Sequence, residues 1–401
     1  MKTLALCLLI AAAQSAAALT IRIDYTYDTN NFFNTQVKKD AIEAVAKFYG
    51  DLIKDNLLRI DPADFDQASW EARPTHPATG LTISIPGLIV PENTIIVYVG
   101  SRVLGSQTLG VGGPGGLSAG GFKPWLDRLA GRGSAGALLV APAKKTDHCP
   151  WGGSIAFDSA STWNFSQSQN LAGYEFISIA LHEMGHVLGI GTAESWLNKA
   201  SAGFFTGAAC IRSYGATPPL QSGDSHFATT TNNSPTFGSF SKAHGTISPV
   251  AMLAALTEDR STFVVATDLD LAALVDCGWE ISPPLGLTTT ALNPSAASFT
   301  WKSSSFLDYT VQRSADLLTF SDPSGLVAGN GKVQTWSDTS PLPDKDFYRL
   351  RSTRPTAFPV APSLAAAART APPTEAYRTL TVAPVSVSCC AAEMDALPKE
   401  R

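Results

Sequence analysis

The sequence predicts an α+β protein, in which a domain of strands with a long helix and a site-bearing helix is followed by a small β-sandwich-like module and a disordered tail. Three observations carry this. Residues 20 to 26 alternate apolar and polar, residues 37 to 57 hold a helical apolar stripe, and from about Pro283 the composition turns to Ser/Thr-rich strand patterning. With 401 residues, 44% of them hydrophobic and 9% aromatic, the chain has ample material for a core.

The first strand places Ile21, Ile23 and Tyr25 on one face against Arg22, Asp24 and Thr26 on the other. The helix over Val37 to Leu57 sets Ala41, Val45, Phe48, Leu52 and Ile53 opposite Lys38, Lys39, Glu43, Lys47 and Asp51. Further strands are predicted at Leu81 to Ile85, Ile95 to Val99, Ala137 to Ala141 and Ser154 to Asp158. Gly105 to Gly121 contains Gly110-x-Gly112-x-x-Gly115, the letters of a dinucleotide-binding turn. Pro114 interrupts it and no apolar helix follows, so this stretch is expected to be a flexible surface loop. Strands at Tyr309 to Arg313, Val333 to Trp336 and Phe347 to Arg351 define a β-sandwich-like module over residues 283–352. Residues 353–401 read as a low-complexity tail.

Composition limits the partners. Lys+Arg number 29 against 34 Asp+Glu with no basic block, so nucleic acid is not an expected partner. Met1-Lys2, the apolar run Leu4 to Ala13 and Ala16-Ala17-Ala18 have the order of a secretory signal peptide over residues 1–18. The expected protein is therefore secreted and extracellular, with no transmembrane segment in the mature chain and little room for a large inhibitory prosegment. Cleavage near Ala18 removes Cys7, leaving Cys149, Cys210, Cys277, Cys389 and Cys390; one bridge among the first three is allowed and its pair is not fixed.

The chemistry concentrates in Tyr174 to Gly189, which contains His182-Glu183-x-x-His186. In a chain of this composition a chance match occurs in roughly two per thousand cases. On a helix, His182, Glu183, His186, Glu175 and Ile179 share one side, while Phe176, Ile177, Ala180, Leu181, Met184, Val187 and Leu188 fill the other. Two histidines one turn apart can present imidazole nitrogens to one Zn2+, and Glu183 can reach a water on the same ion. A hydrolytic zinc also needs a third protein ligand. Three residues past Gly189 stands Thr192, and after Glu194 no glutamate occurs until Glu258, so the downstream histidines His226 and His244 are the candidates. His148 and His76 lack ligand spacing and are expected at the surface.

His182-Glu-Met-Gly-His-Val-Leu-Gly-Ile-Gly-Thr192, Asp224-Ser-His226-Phe, Ala251-Met252 and Thr267 to Trp279 resemble the secreted bacterial zinc metallopeptidases of the metzincin type related to leishmanolysin. Ile21 to Tyr25 and Gly153 to Asp158 extend the resemblance over roughly residues 19 to 281. It implies a metzincin-like zincin domain over 19–282, with His226 as third zinc ligand, Met252 as a hydrophobic floor beneath the metal and Glu183 as general base. It also implies a protein or peptide substrate, paired with the free edge of the Ser154 to Asp158 strand. The 26-residue gap from His226 to Met252 is long, and His244 lies only eight residues before Met252, which keeps His244 as an alternative ligand. Thr267 to Asp276 is predicted as a short helix, with Thr267 or Asp268 near its N-cap and Gly278 as its stop. The function expected is a secreted zinc-dependent endopeptidase; the alternative is an extracellular binding or surface protein with a structural or inactive metal site.

Overall fold

The computed structural model describes residues 18–105, 107–138, 144–165, 172–229, 231–233, 248–252, 255–256, 266–283, 285–293, 296–342, 347–355 and 377–391. The chain opens with β1 (Thr20–Asp24), followed by α1 (Gln36–Leu52), whose buried face of Ala41, Ile42, Val45, Ala46 and Tyr49 lies against β1 and the later helix over residues 176–187. Helix α1 ends five residues before the predicted limit, because Ile53 turns extended and bridges to Ile281. Next come β2 (Ser69–Arg73), β3 (Ile85–Pro86), β4 (Thr94–Arg102), β5 (Thr108–Pro114), β6 (Gly116–Gly121), α2 (Lys123–Gly131) and β7 (Gly152–Asp158). The strand expected at Leu81 to Ile85 is reduced to β3. That expected at Ala137 to Ala141 begins instead in a 3-10 turn over Ala135–Ala137, with residues 139–143 outside the described set.

Short strands β8 (Trp163–Asn164) and β9 (Tyr174–Glu175) lead into α3 (Phe176–Val187). Beyond it are α4 (Glu194–Leu197), the hairpin β10 (Ala200–Ser201) and β11 (Phe204–Phe205), α5 (Ala208–Tyr214), the pair β12 (Asn232–Asn233) and β13 (Ser248–Pro249), β14 (Ala255–Leu256) and α6 (Asp268–Cys277). Helix α6 forms where predicted: Thr267 and Asp270 make a reciprocal capping box, and Gly278 at φ +115° stops it. Two three-stranded antiparallel sheets follow: β15 (Thr288–Asn293), β16 (Ala296–Lys302) and β19 (Val333–Asp338), then β17 (Asp308–Ser314), β18 (Val327–Ala328) and β20 (Phe347–Thr353). Rings from both sheets meet, Phe299 with Tyr348 at 4.6 Å and Trp301 with Tyr309 at 6.1 Å.

The last strands are β21 (Arg378–Val382) and β22 (Val387–Ala391). They correct the expectation of a disordered tail over this part of the chain. Strand β22 enters the central sheet, whose order is β1-β4-β7-β5-β22-β14, and β21 edges a second sheet, β21-β6-β2-β3. Strands β1, β4 and β7 run parallel, and β5 runs antiparallel to β7. Mixed strands with few helices are compatible with a metzincin-like domain.

Two further corrections concern this sheet. The Gly-rich stretch expected as a surface loop is β5 and β6, and its glycines serve close packing: a methyl on Gly110 or Gly112 would enter Glu183, and one on Gly115 would enter the Trp151 ring. The strand expected to offer a free edge, β7, is interior between β4 and β5, with every residue buried. An all-apolar run signals burial on both faces but does not say which strand lies outermost.

Candidate metal centre

Helix α3 starts with Glu175 as N-cap, its carboxylate accepting from the backbone N–H groups of Ile177 and Ser178. Glu175 is thus a capping group and not part of the chemical face. All twelve residues of α3 are buried, so the helix is enclosed on every side and lacks the solvent face of an ordinary amphipathic helix. Tyr49 of α1 donates its hydroxyl to the Leu181 carbonyl at 3.1 Å, fixing α3 from behind. At the C-terminal end, Thr192 Oγ1 donates to the His186 carbonyl at 2.7 Å. The residue at the short-spaced ligand position therefore closes the helix end.

The third histidine arrives through the segment between α3 and β12. Trp196 of α4 stacks on Phe205 at 3.9 Å and donates its Nε1–H to the Asp224 carbonyl at 2.7 Å. Asp276 of α6 caps α5 by accepting from Ala209 and Cys210 N–H. Gly191, at φ +74°, lets the turn after α3 pass directly under the Ser225 carbonyl, where any side chain would collide. His226 then sits between this anchored loop and the Met252 turn, to which the Phe227 N–H donates at 3.0 Å.

The Nε2 atoms of His182, His186 and His226 form a near-equilateral triangle with sides of 3.0, 3.1 and 3.1 Å. Each Nδ1 already has a partner: the Ala251 carbonyl at 2.8 Å for His182, the Ile190 carbonyl at 2.7 Å for His186 and Ser225 Oγ at 3.0 Å for His226. A carbonyl only accepts, so Nδ1 of His182 and His186 carries the proton and both Nε2 atoms present bare lone pairs. Two such lone pairs facing one point together with the His226 Nε2 repel unless a cation lies between them, which is the chemistry of a three-imidazole metal site. Among the described residues this is the cluster that could hold a metal ion. His244 lies outside the described residues.

Electrostatics agree with the ligand state. Burial, reinforced by His226, pushes His182 down to about 3; burial with the two neighbouring rings holds His186 well below the usual histidine range; burial alone pushes His226 down to about 4. All three are neutral at pH 7, as metal ligation requires. Glu183 is fully buried and its carboxylate lies against β5 at Gly110 and Gly112. Met252 is fully buried with Sδ against Gly185, the residue preceding His186.

Asp270 of α6 was not distinguishable by sequence from an ordinary capping acid. Its carboxylate accepts from the N–H groups of Ala251 at 2.9 Å and Met252 at 3.0 Å, and from Thr267. It thereby shapes the turn whose Ala251 carbonyl orients His182. The only sequence signal was its Thr267-x-x-Asp270 capping spacing. His148, expected at the surface, is half-buried behind α3, with its ring 6.3 Å from Trp279 and its Nε2 3.4 Å from the Val187 carbonyl. Cys149, Cys210 and Cys277 are all buried free thiols, so the bridge that the sequence allows among them is not formed.

With this geometry in place, comparison with known proteins gives one positive finding. The Matrixin family model matches residues 133–196, from the segment before β7 through α3 to α4. The match supports a metzincin-type zinc metallopeptidase, that is, a zinc-dependent endopeptidase acting on protein or peptide substrates. It stops thirty residues before His226. No curated protein and no solved structure matches the chain. Among the described residues, no helix is long and apolar enough to cross a membrane.

Proposed function

We propose that the protein is a secreted zinc-dependent endopeptidase of the leishmanolysin-like kind, with His182, His186 and His226 as zinc ligands and Glu183 as general base. The observation that carries this reading is the convergence of three imidazole Nε2 atoms whose Nδ1 sides are already engaged. When bound there, zinc supplies Lewis-acid polarisation of the scissile carbonyl and acidifies a water for attack.

The chain's own residues do the rest. Glu183, one residue from His182 on the same helix and pressed against Gly110 and Gly112, takes the water proton on its carboxylate and returns it to the leaving amine. The carbonyl partners of His182 and His186 fix each ring's tautomer, so both keep the lone pair toward the centre. Met252 packs against Gly185 beneath the histidine pair and excludes water from that side. The alternative of an extracellular binder with a structural site has no observation in its favour, since such a site has no use for an acid beside the ligands. Residues 1–18 as a signal peptide support secretion.

Glu183→Gln should keep one zinc per chain by elemental analysis and lose at least about 100-fold in peptide hydrolysis. His226→Ala should lose stoichiometric zinc. If His226→Ala keeps its zinc and His244→Ala loses it, the ligand assignment moves to His244; undiminished hydrolysis by Glu183→Gln removes the general base.

A further inference from the structure

We infer that residues 378–391 are the resident occupant of the protein's own extended-peptide site, a tethered strand that an incoming peptide must displace. The inference rests on the peptidase reading above and adds to it the place where a substrate backbone binds and what guards that place.

The first observation is register. Strand β21 pairs antiparallel with β6, from Arg378 opposite Gly121 to Val382 opposite Leu117. Val385 N–H then donates to the Pro114 carbonyl, and β22 continues from Val387 opposite Gly112 to Cys389 opposite Gly110. These pairings keep one unbroken register, so a single extended segment runs along the whole edge from Gly121 back toward Thr108. A bulge appears only after Cys389.

The second observation is location. Gly110 and Gly112 are the residues against which the Glu183 carboxylate lies, and they are also the partners of Cys389 and Val387. Strand β22 touches α3 and is held on its other side by β14, which begins three residues after Met252. The segment therefore passes between the β5 edge and the chain leaving the methionine turn, beside the histidine triad. A sheet edge in that place offers a ladder of N–H and C=O groups to any extended peptide, largely regardless of its side chains.

The third observation is how little side chain residues 377–387 bury, Leu380 being half-buried against the cluster of Trp70 and Trp125. From Tyr377 to Val387 no side chain is buried: Val382 is 38% and Val385 43% exposed. A cavity of about 410 Å³ lies between Val382, Ala383 and Val385 on one side and Asp147 to Trp151 on the other. Apolar burial is what makes a strand permanent, whereas backbone pairs exchange one for one with those of a competing strand. By contrast β7, on the other side of β5, is buried throughout.

The test uses the full zinc-loaded chain and the double variant Val387→Pro with Ser388→Pro. N–H groups of adjacent strand residues point to opposite sides, so one of the two prolines removes a bond to β5. Hydrolysis of an internally quenched peptide should rise at least about tenfold in kcat/KM, and a synthetic peptide with the sequence of residues 378–391 should inhibit the variant competitively. Independently of activity, hydrogen exchange at the amides of residues 108–113 should speed up in the variant and slow again when that peptide is added. Equal hydrolysis by wild type and variant, with exchange at 108–113 unaffected by the peptide, would overturn the inference. If neither protein cleaves any peptide, the peptidase reading fails, and the exchange data alone decide whether the edge accepts a strand. Should the double variant not fold, Leu380→Pro with Thr381→Pro loosens the same segment from β6, with hydrolysis read as before and hydrogen exchange followed instead at residues 117–121, the β6 partners of residues 378–382.

Discussion

At the scale of single residues, the chemistry depends on which nitrogen of each ring carries a proton, and the neighbours decide it. The Ala251 and Ile190 carbonyls act on His182 and His186 as fixed tautomer selectors. Behind them, His148 offers a titration that is not part of the triad. Burial pushes its imidazole down to about 4, against the hydrogen bond to Val187 that favours the charged form. The neutral ring belongs to the folded state. As pH falls below about 6.5, the unfolded chain takes up a proton that the folded chain refuses, so stability is present above 6.5 and is lost as pH falls through the window toward 4. His148→Gln should flatten that loss by up to about 2 kcal/mol, measured by urea unfolding at pH 7.5 and pH 4.5 in chelator. An identical acid loss in both proteins would remove His148 as its source.

At the scale of elements, α6 acts as a brace. Burial raises the Asp270 carboxyl above the usual carboxylate range, while hydrogen bonds from Ala251, Thr267 and Met252 favour its charged form. Asp270→Ala should cost about 2–4 kcal/mol, because the buried N–H groups of Ala251 and Met252 lose their acceptor. Zinc affinity should fall as well, since the Ala251 carbonyl no longer orients His182. Calorimetry together with a competitive zinc chelator titration checks both, and unchanged affinity would separate the brace from the site. Helix α6 was legible from an N-cap residue at Thr267 or Asp268 and from Gly278, as were β1 and α1 from their periodicities. The glycine strands β5 and β6 were not, because glycine carries no hydrophobic alternation and its use here, close approach to Glu183 and to the Trp151 ring, exists only once the partners are in place.

At the scale of the whole molecule, the proposed metal ligands join parts of the chain that packing alone holds less directly. His182 and His186 lie on α3, while His226 hangs from a loop fastened by Trp196, Phe205 and the Met252 turn. The C-terminal β sheets are tied to the same region by Arg212 with Asp308 at 2.6 Å and by Ser305 N–H to Asp268 at 3.0 Å. Removing zinc with a chelator at pH 7.5 should therefore lower the unfolding midpoint of the entire domain, by an amount equivalent to about 2.7 kcal/mol when zinc stands at a hundredfold its Kd. Differential scanning calorimetry with and without added zinc would show it. A midpoint insensitive to zinc would mean that the triad contributes nothing to holding the insertion against α3.

The sequence by itself determined the helix that carries His182, Glu183 and His186, since a helical period and a four-residue spacing are local properties of the chain. It narrowed the third ligand to His226 or His244 and marked the capping of α6. Only the tertiary structure decided that His226 closes the triangle among the described residues, because forty residues of insertion can return along many paths and the path taken depends on Trp196, Gly191 and Asp276 finding distant partners. It decided equally that β5 is the strand beside Glu183 and that residues 378–391 lie along its edge. Strand order is set by long-range backbone pairing, which leaves no period in the sequence to read.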